Sequence, residues 1–185
     1  MGFVISVLTP VDELAIRALL IRYATAIDTK DWHLFRACFS DDCCARFGGL
    51  MWQGLDAVAD VFEAAHAPLD DSMHRVLNIS VLSYDGDTAT TRSYCDAVLV
   101  RRSAPGGAVL QVGGVYSDAL RREGAVWRIA ERHFRAVSYR GSFGVLGLNP
   151  EQVAMGYGDA VHDAKSACRG VPSGRSAESS SFRRA

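Results

Sequence analysis

From Met73 onward the chain alternates apolar and polar residues with period two through four long stretches, 73–83, 88–102, 108–120 and 125–139. That alternation is the mark of strands with one buried face. The breaks between them, Asp85-Gly86-Asp87, Pro105-Gly106-Gly107 and Glu123-Gly124, are tight-turn sequences. Turns this short join antiparallel neighbours, because a parallel crossover needs a dozen or more residues. The expected sheet is therefore an antiparallel meander.

Helical spacing occupies the part of the chain before it. Thr9-Pro10 reads as an N-cap followed by an N1 proline, with Asp12 and Glu13 at the positive end of the helix dipole. Ile16, Leu20, Tyr23 and Ile27 then form one apolar stripe. Asp31-Trp32 opens a second, short helix that buries Leu34, Phe35, Cys38 and Phe39. Residues 43–47 read as a short strand. After Gly54, the residues Leu55, Val58, Phe62 and Ala65 outline a third helix, ended by Pro68. Helices first and strands after, without βαβ alternation, make the fold α+β. Asn149-Pro150 is expected to cap a further helix reaching about Ser166, a candidate lid.

Composition excludes several classes. Lys and Arg number 20 against 21 Asp and Glu, a net charge of -1, so the molecule lacks the basic footprint of a nucleic-acid binder. No apolar run approaches the ~20 residues that span a bilayer, and the opening MGFVISVLTP lacks the basic start of a secretory signal. Five cysteines, an odd number without a CxxC pair, argue against a disulfide framework and a zinc site, and a cytoplasmic location with reduced thiols is expected. Residues 169–185, RGVPSGRSAESSSFRRA, carry too little apolar surface to order and read as a disordered basic tail. The division is a domain over 9–140, a segment over 141–168 that could close a pocket, and the tail.

Phosphate-loop, zinc-protease, nucleophile-elbow and dinucleotide motifs are absent, so no metal and no cofactor is expected. The remaining chemistry lies in ionisable side chains at element ends. His74 opens the first long strand, with Asn78 on its face. In the last strand Trp127, Ile129, Glu131, His133 and Arg135 share one parity, an apolar floor leading to a polar mouth. Asp28 ends the first helix, where the negative end of the dipole disfavours a carboxylate and calls for a donor or cationic partner.

The ordered phrases LIRYATAID-x-x-D-W, MHRVLNISV, GDTATTRSY and GGVYSDALRREGAVWRIAERHFR resemble the SnoaL-like branch of the nuclear transport factor 2-like superfamily, over roughly residues 9–140. The resemblance implies a cone: a curved antiparallel sheet wrapped around the long first helix, with a pocket in its mouth. Similarity to scytalone dehydratase, bile-acid 7α-dehydratase and hexachlorocyclohexane dehydrochlorinase implies a His–Asp pair at His74 and Asp28. It also implies a catalytic tyrosine at Tyr23 and a pocket arginine at Arg135. The second pocket histidine of scytalone dehydratase has no match among Ser93, Tyr94, Cys95 and Asp96.

The expected activity is a cofactor-independent lyase, a dehydratase acting on a polyketide-like or ring-bearing small molecule. His74 is its base, Asp28 its orienting carboxylate and Tyr23 a hydrogen-bond donor, with His133, Arg135, Trp127 and Asn78 binding substrate. An isomerase or cyclase using the same base, and a non-catalytic ligand-binding protein, are the competing readings. The expected assembly is a homodimer or homotrimer, with neither nucleic acid nor membrane as a partner.

Overall fold

The computed structural model describes residues 7–147. The expected C-terminal helix, the lid over 141–168 beyond its first residues, and the tail lie outside them. The elements in chain order are α1 (Pro10–Asp28), α2 (Trp32–Arg36), β1 (Phe39–Phe47), β2 (Leu50–Gln53), α3 (Leu55–His66), β3 (Asp71–Tyr84), β4 (Thr88–Val100), β5 (Val109–Glu123), β6 (Val126–Gly141) and a 3₁₀ turn, Phe143–Leu146. The fold is α+β, as the order of patterns predicts.

Six strands form one sheet in the order β2-β1-β6-β5-β4-β3. The long strands β3 to β6 make the expected meander. The sheet is mixed rather than wholly antiparallel, because β1 runs parallel to β6. β1 begins at Phe39, earlier than expected, and the short β2 pairs with it through Cys44–Gln53 to Phe47–Leu50. Four residues between glycines carry too little pattern to read as a strand.

α1 starts as its sequence dictates: Thr9 Oγ1 accepts from the Asp12 backbone N–H at 3.1 Å. Ile16, Leu20, Tyr23 and Ile27 are buried, together with Leu19, Ala24 and Ala26. This face packs on β3 and β6. Opposite it, β4 alternates strictly, with Ala89, Thr91, Ser93, Cys95, Ala97 and Leu99 buried. Tyr94 and Asp96 consequently face the other way. Leu110, Val112, Tyr116, Asp118 and Leu120 continue the inner face on β5.

Bulges interrupt the register and increase the bend of the strands that carry them. In β3, Leu77 pairs with Tyr94 and Ser80 with Arg92, which leaves one extra residue between them. Asn78 lies there, with φ +50°. In β6, Ala119 faces Glu131 while Leu120 faces Ile129, and Gly113 faces Ser138 while Gly114 faces Ala136. Two insertions in β6 thus reverse its parity twice.

Cys38, Cys43 and Cys95 are buried free thiols. Cys44 is disulfide-bonded, which corrects the expectation of reduced cysteines throughout. Among the described residues no helix is long and apolar enough to cross a membrane.

Candidate active site

The end of α1 is fixed by a paired C-terminal turn. Lys30, with φ +54°, takes the left-handed position that glycine commonly fills. Its N–H reaches Ile27 O at 3.1 Å, and the Asp31 N–H reaches Ala26 O at 2.9 Å. Lys30 Nζ donates to Leu69 O at 2.7 Å, tying the turn to the segment ahead of β3. Asp28 is the last residue of the helix so anchored.

Asp28 receives the donors that its place at the dipole's negative end requires. The His74 ring Nδ1 lies 2.7 Å from Oδ1, the His74 backbone N–H donates to Oδ2 at 2.8 Å, and the Ser72 hydroxyl donates to Oδ1 at 2.9 Å. Burial pushes the Asp28 carboxyl up, but the His74 and Ser72 hydrogen bonds outweigh it and hold the group below the usual carboxylate range. A carboxylate can only accept, so the His74 proton sits on Nδ1 and Nε2 carries the lone pair. The side chains are 9% and 22% exposed, His74 and Asp28 respectively.

His74 borders a cavity of about 190 Å³. Phe47, Trp52, Phe62, Leu99, Val112 and Phe134 supply much of its apolar wall, and Tyr23, Tyr116, Tyr139, Cys95 and His66 also line it. Gly114 makes room for that wall, since a Cβ there would collide with the Phe134 ring. Tyr23 is fully buried at the helix-facing side. Burial pushes its phenol up to about 12 against the opposing charge of Arg132, so it stays protonated. No hydrogen-bond partner satisfies its hydroxyl among the described residues.

Under the tyrosines lies a cation that the sequence reading missed. Arg132 pairs with Asp118 through bonds of 2.7 and 2.8 Å, both side chains wholly inaccessible. Its guanidinium sits 3.9 Å from the Tyr23 ring centre and 4.2 Å from that of Tyr116. The first β6 bulge turns Arg132 and Phe134 inward and sends His133 and Arg135 out, where both are exposed. The substrate-binding roles expected of His133 and Arg135 are therefore corrected: neither borders the cavity. Period two carried unbroken along β6 gives the wrong face after Ile129.

Trp127 and Asn78 are corrected as well. Trp127 is buried, but its Nε1–H donates to Asp12 Oδ1 at 3.1 Å at the other end of α1. Asn78 is exposed on its bulge.

His66 is the other side chain missed. Val58, Phe62 and His66 follow an i, i+4 repeat on α3, a signal that the apolar outline ending at Ala65 leaves out. His66 is buried and its ring centre lies 5.8 Å from that of His74. Among the described residues, no group of three His, Cys, Asp or Glu could hold a metal ion.

Residues 11–133 match the SnoaL-like domain model. The chain belongs to the SnoaL-like domain family. No protein of curated function matches it by sequence. Its fold is similar to that of a candidate aromatic ring hydroxylase from Novosphingobium aromaticivorans, with TM-score 0.67, 27% identity, 75% of this chain and 99% of that one. A candidate scytalone dehydratase from the same organism aligns with TM-score 0.66 and 20% identity over 71% of this chain and 88% of its own. A hexachlorocyclohexane dehydrochlorinase aligns with TM-score 0.62 and 16% identity over 76% and 95%. At those last two identities the likeness is one of fold.

Proposed function

We propose that this SnoaL-like protein is a cofactor-independent dehydratase that eliminates water from a ring-bearing, polyketide-like small molecule. The observation that carries the reading is the Asp28–His74 contact of 2.7 Å beside an apolar cavity. Candidate dehydratase and dehydrochlorinase relatives of the same fold support it.

His74 Nε2, the free lone pair, takes a proton from a carbon next to a carbonyl. Asp28 holds the tautomer and stabilises the imidazolium, as an orienting carboxylate does for a catalytic histidine. The C–H electrons form the new double bond, and the C–O bond of the β-hydroxyl breaks. The imidazolium returns its proton to the departing oxygen, which leaves as water. Tyr23, protonated at neutral pH, donates a hydrogen bond to the carbonyl oxygen as negative charge develops there. The apolar wall keeps bulk water from competing for these groups.

Mass spectrometry of small molecules co-purifying with the protein should return a ring-bearing compound. A panel of cyclic β-hydroxy ketones should then yield products lighter by one water. A product of unchanged mass with deuterium moved at carbon would favour isomerisation or cyclisation. Unchanged ligands without exchange would favour a binding protein and sink the enzyme reading.

A further inference from the structure

His66 carries a polar atom that the elimination chemistry above does not use. Its Nδ1 lies 2.8 Å from the Phe62 carbonyl oxygen. A carbonyl only accepts, so Nδ1 holds the hydrogen and Nε2 is a bare acceptor. That Nε2 is inaccessible and has no hydrogen-bond partner among the described residues, although the residue is only 7% exposed. With Nδ1 turned back onto α3, Nε2 on the far side of the ring points away from that helix's backbone. The ring stacks on Phe62 at 11°, meets Trp32 edge-on, and borders the cavity beside His74.

Burial pushes the His66 imidazole down to about 4; the charges it senses are His74, which pushes the same way with Lys30, and Asp28, which opposes. At neutral pH His66 is thus uncharged and has no proton to give a leaving group. A buried acceptor left empty is costly, whereas one that meets a ligand donor discriminates strongly between ligands.

We propose that His66 is a specificity-determining residue whose Nε2 accepts a hydrogen bond from a hydroxyl that the substrate retains. The inference rests on the proposed pocket and narrows its ligand class to compact rings bearing a donor hydroxyl besides the group that is lost. His74 reads the acidic carbon, and His66 reads the retained hydroxyl.

The test uses the full chain and two probes of one shape, p-cresol and p-xylene, which differ by a hydroxyl in place of a methyl. Wild-type protein should bind p-cresol about tenfold more tightly, the worth of one net hydrogen bond. His66→Phe should bring the two within twofold, while His74→Ala should keep the preference. In ¹⁵N-histidine-labelled wild type, p-cresol should move the His66 Nε2 resonance, a readout that stands even where His66→Phe folds poorly. A preference that survives His66→Phe, or a His66 Nε2 resonance unmoved at saturating p-cresol, would overturn the inference. Neither readout involves turnover, so failure here leaves the dyad standing, and failure of the dyad shows instead as lost dehydration chemistry.

Discussion

At the start of α1, Asp12 accepts from the Tyr84 hydroxyl at 2.6 Å, the Thr9 hydroxyl at 2.9 Å, the Trp127 indole and the Arg122 guanidinium. At its end, Asp28 accepts from one histidine, through ring and backbone, and from one serine. Both carboxylates are held below the usual range, Asp12 chiefly by Tyr84 and Trp127 with Arg122, Asp28 against the push of burial. The difference lies in the partner. Arg122 is permanently charged, so the network at Asp12 has one protonation state and serves to close the fold. Asp28 is paired instead with an imidazole, and the cavity lies beside it. One helix therefore carries a fixed ionic clasp at one end and a His–Asp pair beside the cavity at the other.

Exchanging the damage between the two ends should break this comparison if it is wrong. Asp28→Asn and His74→Ala should each lower turnover by about 10²–10⁴-fold with a small shift in Tm. Asp12→Ala should do the reverse. It strands Arg122, Trp127 and Tyr84 without their acceptor, and should cost about 3 kcal/mol in denaturant unfolding while residual folded protein keeps its turnover. A catalytic collapse in folded Asp12→Ala would erase the distinction.

The fold was legible to a large extent because β4 alternates strictly and the meander turns at Asp-Gly, Gly-Gly and Glu-Gly steps. α1 was legible from its cap and stripe, and the pairing of Asp28 with His74 from a carboxylate at a helix end together with the family resemblance. The outer half of β6 was not. The residue inserted at Ala130 reverses the side chains as far as the second insertion at Val137, and nothing in IAERHFR marks where it falls. Hence Arg132 was hidden and Arg135 was given its place. The β1–β6 parallel pairing was equally hidden, because it joins segments far apart in sequence. His66 is readable from the α3 stripe, one turn beyond Phe62, although a purely apolar pattern ends at Ala65.

Acid should act on the two ends unequally. The folded His66 titrates near 4 against an ordinary 6.5, so between these values the unfolded chain binds more protons than the folded one. Stability is then fully present above 6.5 and falls as pH drops toward 4, by at most about 3 kcal/mol. Asp12, lowered below its ordinary 3.8, remains charged throughout this window. Thermal melts of wild type and His66→Phe from pH 7 to 4 should diverge, with the flatter curve in the variant. Parallel curves would mean that His66 is not buried neutral.

A smaller effect is expected on the outer face, where Leu77 and Tyr94 pair across the strands and are exposed, as are Met73 and Val137. We propose that this face joins copies of the chain into a dimer or trimer. Light scattering of wild type should exceed the 20.0 kDa of one chain, and Leu77→Asp should return that value. A monomeric wild type at micromolar concentration would refute it.

The central claim, that the pair at the end of α1 delivers a base to the cavity, is tested most directly by carbon-bound hydrogen exchange, without any leaving group. A cyclic ketone in D₂O should take up deuterium beside its carbonyl when wild-type protein is added. The exchange should fall about 10²–10⁴-fold in His74→Ala, fall comparably in Asp28→Asn, and persist in His133→Gln, whose ring lies on the outside. Exchange undiminished in folded His74→Ala, or lost only in His133→Gln, would contradict the account.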